Sequence, residues 1–167
     1  MRIGLLSDSH NNLPNLRAAL EILRQAKISE IIHCGDLTEL ETALQLVEFK
    51  ITYVYGNGDW MANQVHDALL SFNPENFSGP SFQGRIGNVK VAAVHGHQSS
   101  LLEEVITCGE FAYVFHGHSH LRRDVRIGQT RVINPGALGG LHREERSLAI
   151  LDLDNDQLTY HLLKTAH

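Results

Sequence analysis

The sequence predicts an α/β domain in which two sheets are covered by helices, and two observations carry that prediction. The first half alternates short apolar runs with amphipathic ones, as βαβ units do, and the second half is a series of short strands joined by turn signals. Residues 3–6 read as a buried strand. Pro14 then stands where a first helical turn tolerates it, and Leu16, Ala19, Leu20 and Leu23 repeat at helical spacing. Residues 31–34 form a second strand, followed by a helical stretch with Leu40, Ala43, Leu44 and Val47 on one face, and residues 51–55 form a third strand. Residues 72–80 are predicted as a loop. Beyond it, residues 81–86 and 89–94 pair across Gly87-Asn88. Ser100-Leu101-Leu102-Glu103 has capping-box spacing, and Gly109 lies just past the helix it would start. A strand at 112–116 precedes two hairpins, 124–127 with 130–133 across Gly128-Gln129, and 148–153 with 158–163 across Asn155-Asp156.

With 167 residues, no internal repeat and no composition shift, the chain is expected to be one domain, residues 1–167. A hydrophobic fraction of 43% and a charged fraction of 20% exclude a disordered chain, a coiled coil and a collagen-like repeat. The longest apolar runs are far short of the roughly 20 residues of a membrane helix. An Asp at position 8 leaves no room for a signal peptide, so a soluble cytoplasmic protein without a membrane partner is expected. Fourteen basic against 19 acidic side chains give a net charge of −5. The densest basic stretch, Arg122, Arg123, Arg126 and Arg131, is diluted by Asp124, which argues against nucleic acid as a partner except as a source of diester substrate. Two cysteines, Cys34 and Cys108, suit a reducing compartment. Asn76-Phe77-Ser78 matches a glycosylation sequon by coincidence. Histidine is the unusual count: eleven, of which His95, His97, His116, His118 and His120 fall in one short stretch.

The chemistry is concentrated where strands end. The first strand runs into Asp8-Ser9-His10, the second into Gly35-Asp36, and the third into Gly56-Asn57-Gly58-Asp59. The fourth ends in His95-Gly96-His97 and the fifth in Gly117-His118-Ser119-His120. Ligands of open α/β sheets bind beyond the carboxyl ends of the strands, so these groups can converge in space. Imidazole with carboxylate and amide oxygen suits Mn, Fe, Zn, Co or Ni, and the absence of thiolate argues against a structural zinc knot. Seven candidate ligands (Asp8, His10, Asp36, Asn57, His95, His118 and His120) are too many for one tetrahedral ion. With a bridging carboxylate they suffice for two, an arrangement that commonly hydrolyses phosphate esters. Competing chemistries fail on residues: a dehalogenase-type phosphatase needs an Asp where His10 stands, Gly56-Asn57-Gly58 lacks the third glycine of a dinucleotide fold, and no P-loop occurs.

The series Asp-x-His, Gly-Asp, Gly-Asn-x-Asp, His-Gly-His and Gly-His-x-His resembles the calcineurin-like metallophosphoesterase superfamily, most closely its small single-domain phosphodiesterase branch. The retromer subunit vacuolar protein sorting 29 is also similar to that branch. The resemblance runs from Arg2 to about Gly140 and includes Asn134-Pro135-Gly136. It implies a four-layer α/β/β/α sandwich, two sheets flanked by helices, which agrees with the pattern above. It implies two divalent ions, manganese first among the candidates, with Asp8, His10 and His120 on one, Asn57, His95 and His118 on the other, and Asp36 bridging. It also implies phosphodiester hydrolysis, a bridging hydroxide attacking phosphorus in line, on a small phosphate-ester substrate; a homo-oligomer is compatible with it. Larger members often place a histidine third in the Gly-Asn-x-Asp motif, where this chain has Gly58, so the general acid is unassigned. The alternative is a non-catalytic scaffold of the same fold that binds a protein partner, but all seven ligand positions carry competent donors, which favours the enzyme.

The remaining polar residues receive plainer expectations. His97 and Asn57 are candidates for substrate contact, His97 alternatively facing solvent. His33 and His116 are expected to pack behind ligands. Asp59 should orient a neighbouring backbone, and Cys34 should be a small core residue. His66, His142, His161 and His167 are expected at the surface, and Trp60 at a pocket mouth or in packing.

Overall fold

The computed structural model describes residues 1–141 and 144–163. In chain order its elements are β1 (Arg2–Leu6), α1 (Leu13–Gln25), β2 (Glu30–His33), α2 (Leu40–Leu44), β3 (Lys50–Val54), α3 (Ala62–Phe72), β4 (Phe77–Gly79), β5 (Ser81–Ile86), β6 (Val89–Val94), α4 (Ser99–Thr107), β7 (Tyr113–Phe115), β8 (Arg123–Ile127), β9 (Thr130–Asn134), β10 (Ser147–Asp152) and β11 (Gln157–Leu162). They build a six-stranded sheet of order β11-β10-β1-β2-β3-β4 and a five-stranded sheet of order β5-β6-β7-β9-β8. Both sheets are mixed. In the first, β1 to β4 run parallel and β10 joins β1 antiparallel with Ile3 opposite Leu151. In the second, β6, β7 and β9 run parallel between antiparallel neighbours.

Alternation along each strand sorts the side chains into three apolar layers. Ile3 and Leu5 of β1, Ile32, Val91, Ala93 and Phe115 meet between the sheets. Leu6, Ile31, Leu148 and Ile150 face the other way, onto Leu16, Ala19, Leu20 and Leu23 of α1. Ala92, Val94, Val114 and Val132 face Val105 and Ile106 of α4. The layers therefore run helices, sheet, sheet, helix, as the sequence predicts. No helix among the described residues is long and apolar enough to cross a membrane.

Most strands fall within a residue or two of expectation, and the departures have identifiable causes. The stretch after β2 is a single helical turn capped at Gln45, so a helical stripe cannot extend from Leu40 to Val47. Leu44 and Val47 are exposed, and Ala43 and Leu46 carry the burial instead. The capping box of α4 does not form: the helix starts at Ser99 with Gln98 as its N-cap, placing Ser100 inside the first turn. The predicted loop at 72–80 contains β4, which follows α3. Asn76 holds this segment, accepting the Ile51 N–H and donating to the Leu69 carbonyl. With both ends of its amide engaged and the residue buried, Asn76 is structural, in keeping with a coincidental sequon.

Candidate metal centre

Five parallel strands, β1, β2 and β3 of one sheet and β6 and β7 of the other, deliver the ligand motifs at their carboxyl ends. The chain leaves them through left-handed backbone: Asp8, His10, Asp36, His118 and His120 have φ of 52°, 43°, 54°, 66° and 60°. Such values are uncommon outside glycine and are best tolerated by Asn, Asp and His. Hydrogen bonds between loops hold these turns. Asp8 N donates to Gly35 O, His10 N to Asp36 O, Gly117 N to His95 O, and Gly139 N to Asp8 O.

The side chains of Asp8, His10 and His120 converge, as do those of Asp8, Asp36 and His95. His10 Nε2 lies 3.2 Å from His120 Nε2 and 3.5 Å from Asp36 Oδ2. His120 Nε2 is 3.3 Å from Asp8 Oδ1, and His95 Nε2 is 3.4 Å from Asp36 Oδ2. Two donors each about 2.1 Å from one ion, at right-angled to tetrahedral separation, stand about 3.0–3.4 Å apart, so this spacing suits a metal. The ring of His118 packs edge-on to His95 with centroids 5.1 Å apart, outside both three-residue groups. Asn57 is exposed at the tip of the loop that wraps Asp36, whose Oδ1 accepts the Gly58 N–H at 2.7 Å.

Protonation makes the same point. His95 Nδ1 is 2.7 Å from Cys34 O, a contact that requires the proton on Nδ1. In a neutral ring Nε2 is then a lone pair aimed at the Asp36 carboxylate, acceptor against acceptor. Something positive must intervene, either a second proton or a cation. Asp8 Oδ1 is likewise fully buried with no hydrogen-bond donor among the described residues, while Oδ2 accepts from Ser7 Oγ and from His118 N. Burial works to raise the Asp36 carboxyl, but the His95 ring, the Gly58 N–H and His10 outweigh it and hold the group at about 2. Burial works to lower His95, and the Asp36 and Asp8 carboxylates raise it instead. Asp8 likewise raises His120. These shifts favour positive charge at the cluster, which a divalent cation would supply. The donor set fits the ions the motifs imply.

Residues behind the ligands fall largely where expected. Asp59 Oδ2 accepts the N–H groups of Asp36 (2.8 Å) and Gly56 (2.6 Å), and its Oδ1 accepts that of Thr38 (2.8 Å), tying two ligand loops together. His33 is fully buried with Nε2 2.7 Å from Ser9 Oγ, which lies between the candidate ligands Asp8 and His10 in the chain. Its pKa falls to about 4 through burial, against the raising effect of Asp59 and Asp8. Burial also lowers His116 to about 4. Cys34 is buried and Cys108 exposed, both free thiols. His97 is exposed beside His95 and His118, and partial burial with those two rings lowers its pKa. Some of the surface expectations need correction, and others fall outside the described residues. His66 is half-buried, with Nδ1 3.1 Å from Ser78 O, because α3 lies over β4. Trp60 is 89% exposed, which rules against the packing role. His142 and His167 lie outside the described residues, and His161 is half-buried on β11.

Sequence reasoning passed over Ser7, which donates to Asp8, and Ser9, which meets His33. Both flank Asp8 in the first motif, which was the available signal. It also passed over Asn11 and Asn12, which line a cleft beside His10 and His120.

The calcineurin-like phosphoesterase superfamily domain matches residues 1–156 of the chain. Phosphodiesterase MJ0936 of Methanocaldococcus jannaschii is 33% identical over 159 residues, covering 94% of this chain and 96% of that protein. A solved structure described as a novel archaeal phosphodiesterase superposes with a TM-score of 0.93 at 32% identity, covering 98% of this chain and 100% of that one. Vps29 of Entamoeba histolytica, solved with zinc, has a TM-score of 0.73 at 20% identity, covering 97% and 91%, a likeness of fold alone. Fold, motif order and a match reaching residue 156 agree, and the chain belongs to the calcineurin-like phosphoesterase superfamily.

Proposed function

We propose that this chain is a single-domain, cytoplasmic phosphodiesterase that works with two divalent ions, manganese first among them. Asp8, His10 and His120 would hold one ion, Asn57, His95 and His118 the other, and Asp36 would be shared. One observation carries the proposal: Asp36 Oδ2 stands 3.5 Å from His10 Nε2 and 3.4 Å from His95 Nε2, between the two ligand sets. Ions bound there supply Lewis acidity toward a phosphoryl oxygen and bring the pKa of water toward ~7.

The chain's own residues do the rest. Asp36, kept ionised, neutralises part of the ionic charge while the Cys34 carbonyl holds the His95 ring in one tautomer. His97 stands exposed beside His95 and His118, within reach of a phosphate held there. Partial burial and the His95 and His118 rings hold it below the ordinary histidine pKa, which disfavours its charged form. It therefore serves as a hydrogen-bonding group better than as a proton donor. With Gly58 where a histidine would stand, the leaving oxygen departs without a positioned protein acid.

Metal counting on purified protein, with hydrolysis of bis(4-nitrophenyl) phosphate, tests the proposal. Two equivalents of ion and metal-dependent turnover are expected, and Asp36→Asn should remove the turnover. Two bound equivalents with no hydrolysis of any diester would favour the scaffold alternative. Near-native turnover of Asp36→Asn would overturn the shared-ligand assignment.

A further inference from the structure

A cleft of about 750 Å³ opens beside the metal centre, between His10 and His120 on one side and Asn11, Asn12, Pro14 and Leu141 on the other. That volume is far more than a phosphate needs and lies within the usual range for small-molecule sites. Resting on the phosphodiesterase reading, we infer that this cleft is the subsite for one ester substituent, and that it takes an uncharged flat ring carrying hydrogen-bond acceptors, such as a nucleobase.

The lining decides the class. Among the described residues that form the cleft there is no lysine, arginine, aspartate or glutamate. Those described residues offer a second phosphate no lysine or arginine, and a choline or ethanolamine head no carboxylate. Besides the His10 and His120 rings, the polar side chains are two amides, each with an oxygen that already accepts one hydrogen bond. Asn12 is the N-cap of α1, and its Oδ1 accepts the Asn15 N–H at 3.1 Å, leaving Nδ2 as the open end. Asn11 Oδ1 accepts from Thr42 Oγ1 at 2.6 Å, so its Nδ2 is open as well. The cleft thus offers donors to a ligand edge bearing carbonyl oxygens or ring nitrogens.

The faces are apolar. Pro14 supplies one, and Leu141, fully exposed, supplies another. Leu141 reaches the cleft because the chain passes close under His120 at Gly140. There φ is +100°, and a Cβ would stand 2.6 Å from His120 Cε1. Only glycine fits that crossing. A methyl ester would leave these surfaces wet, whereas a ring would cover them.

The test compares thymidine 5′-(4-nitrophenyl phosphate) with methyl 4-nitrophenyl phosphate, which share a leaving group and differ in the retained substituent. On manganese-loaded protein, kcat/KM should favour the nucleoside ester by about 10- to 100-fold, the effect of covering a ring's apolar faces. Calorimetric titration with thymidine 5′-monophosphate and methyl phosphate should show the same order without turnover. Asn12→Ser keeps an N-capping oxygen and removes the amide donor. It should lower the preference about 5- to 10-fold, the size of one hydrogen bond. Leu141→Ser changes an exposed side chain and should lower it severalfold. Hydrolysis of both esters with equal efficiency, or a preference that neither variant moves, overturns the cleft assignment and leaves the phosphodiesterase reading standing. Failure to hydrolyse either ester, with thymidine monophosphate still bound in preference to methyl phosphate, overturns the catalytic reading and supports the cleft.

Discussion

Replacing Asp59 with Asn changes one oxygen to an NH2 group and leaves the shape of the side chain intact. The carboxylate accepts three backbone N–H groups, those of Asp36 and Gly56 on Oδ2 and that of Thr38 on Oδ1. An amide has one oxygen, so the best orientation keeps the pair on Oδ2 and turns Nδ2 toward the Thr38 N–H, donor against donor. The loss is one charge-assisted hydrogen bond and the solvation of the stranded N–H, about 2–4 kcal/mol together. For a domain of this size each kcal/mol shifts Tm by about 2–4 °C, so thermal unfolding in chelator should fall by about 5–15 °C. Because the Asp36 backbone hangs from this carboxylate, affinity for the second equivalent of manganese should also fall, about 10- to 100-fold. Calorimetry reads both quantities. Asp67→Asn, an exposed position on α3, is the control for loss of one negative charge. An Asp59→Asn protein that melts with its parent and binds metal equally well would refute the clamp.

His118→Ala and His120→Ala should each lose about one equivalent of metal per chain, from different sites; two retained equivalents in both variants would refute the ligand assignment. Buried His33 titrates near 4 when folded, against about 6.5 when unfolded, so the unfolded chain binds the extra proton between those values and stability falls as pH drops through that window. His33→Gln, which can still meet Ser9 Oγ, should flatten stability against pH there by up to about 1.4 kcal/mol per unit in denaturant titrations; an unchanged slope would show that His33 is already charged. Gly58→His should not restore a general acid, because a Cβ at that position stands 3.0 Å from Asp36 Oδ1 and presses on the proposed shared ligand. The parent should show turnover that depends steeply on leaving-group acidity, and the variant weaker metal binding with no selective gain on dialkyl esters, a gain elsewhere worth about 10²–10⁴-fold.

The placing of the five motifs at strand ends was legible because each motif ends an apolar run, and parallel strands bring those ends to one side of a sheet. The hairpin of β5 and β6 was legible to the residue because Gly87-Asn88 marks the turn and both arms alternate. What escaped was structure supplied from a distance. Segment 62–79 offers only Val65 and Leu69 as a buried stripe, and β4 is three residues held by the amide of Asn76. The capping-box residues of α4 were present, but the helix had already begun at Ser99, so local chemistry lost to packing. The cleft beside His10 could not be seen from Asn11 and Asn12 alone. Its far wall is Leu141, about 130 positions along the chain, brought back by the Gly140 crossing.

Five of the seven candidate ligands sit on left-handed backbone, a conformation that disfavours L-residues by about 1–2 kcal/mol and Asp or Asn somewhat less. Glycine at any of them would relieve that strain and add nothing that must be buried charged. At these turns the metal-free fold carries a backbone strain that glycine would not, set against the hydrogen bonds that the Asp8 and Asp36 side chains accept there, so a substitution at His10, His118 or His120 that abolishes the centre can make the domain harder to unfold. A descendant released from catalysis would drift toward glycine first at the histidine turns, since Asp8 and Asp36 also hold loop N–H groups. Screens for thermostable variants carried out in chelator should therefore collect inactive proteins, while the same screens in manganese should retain active ones.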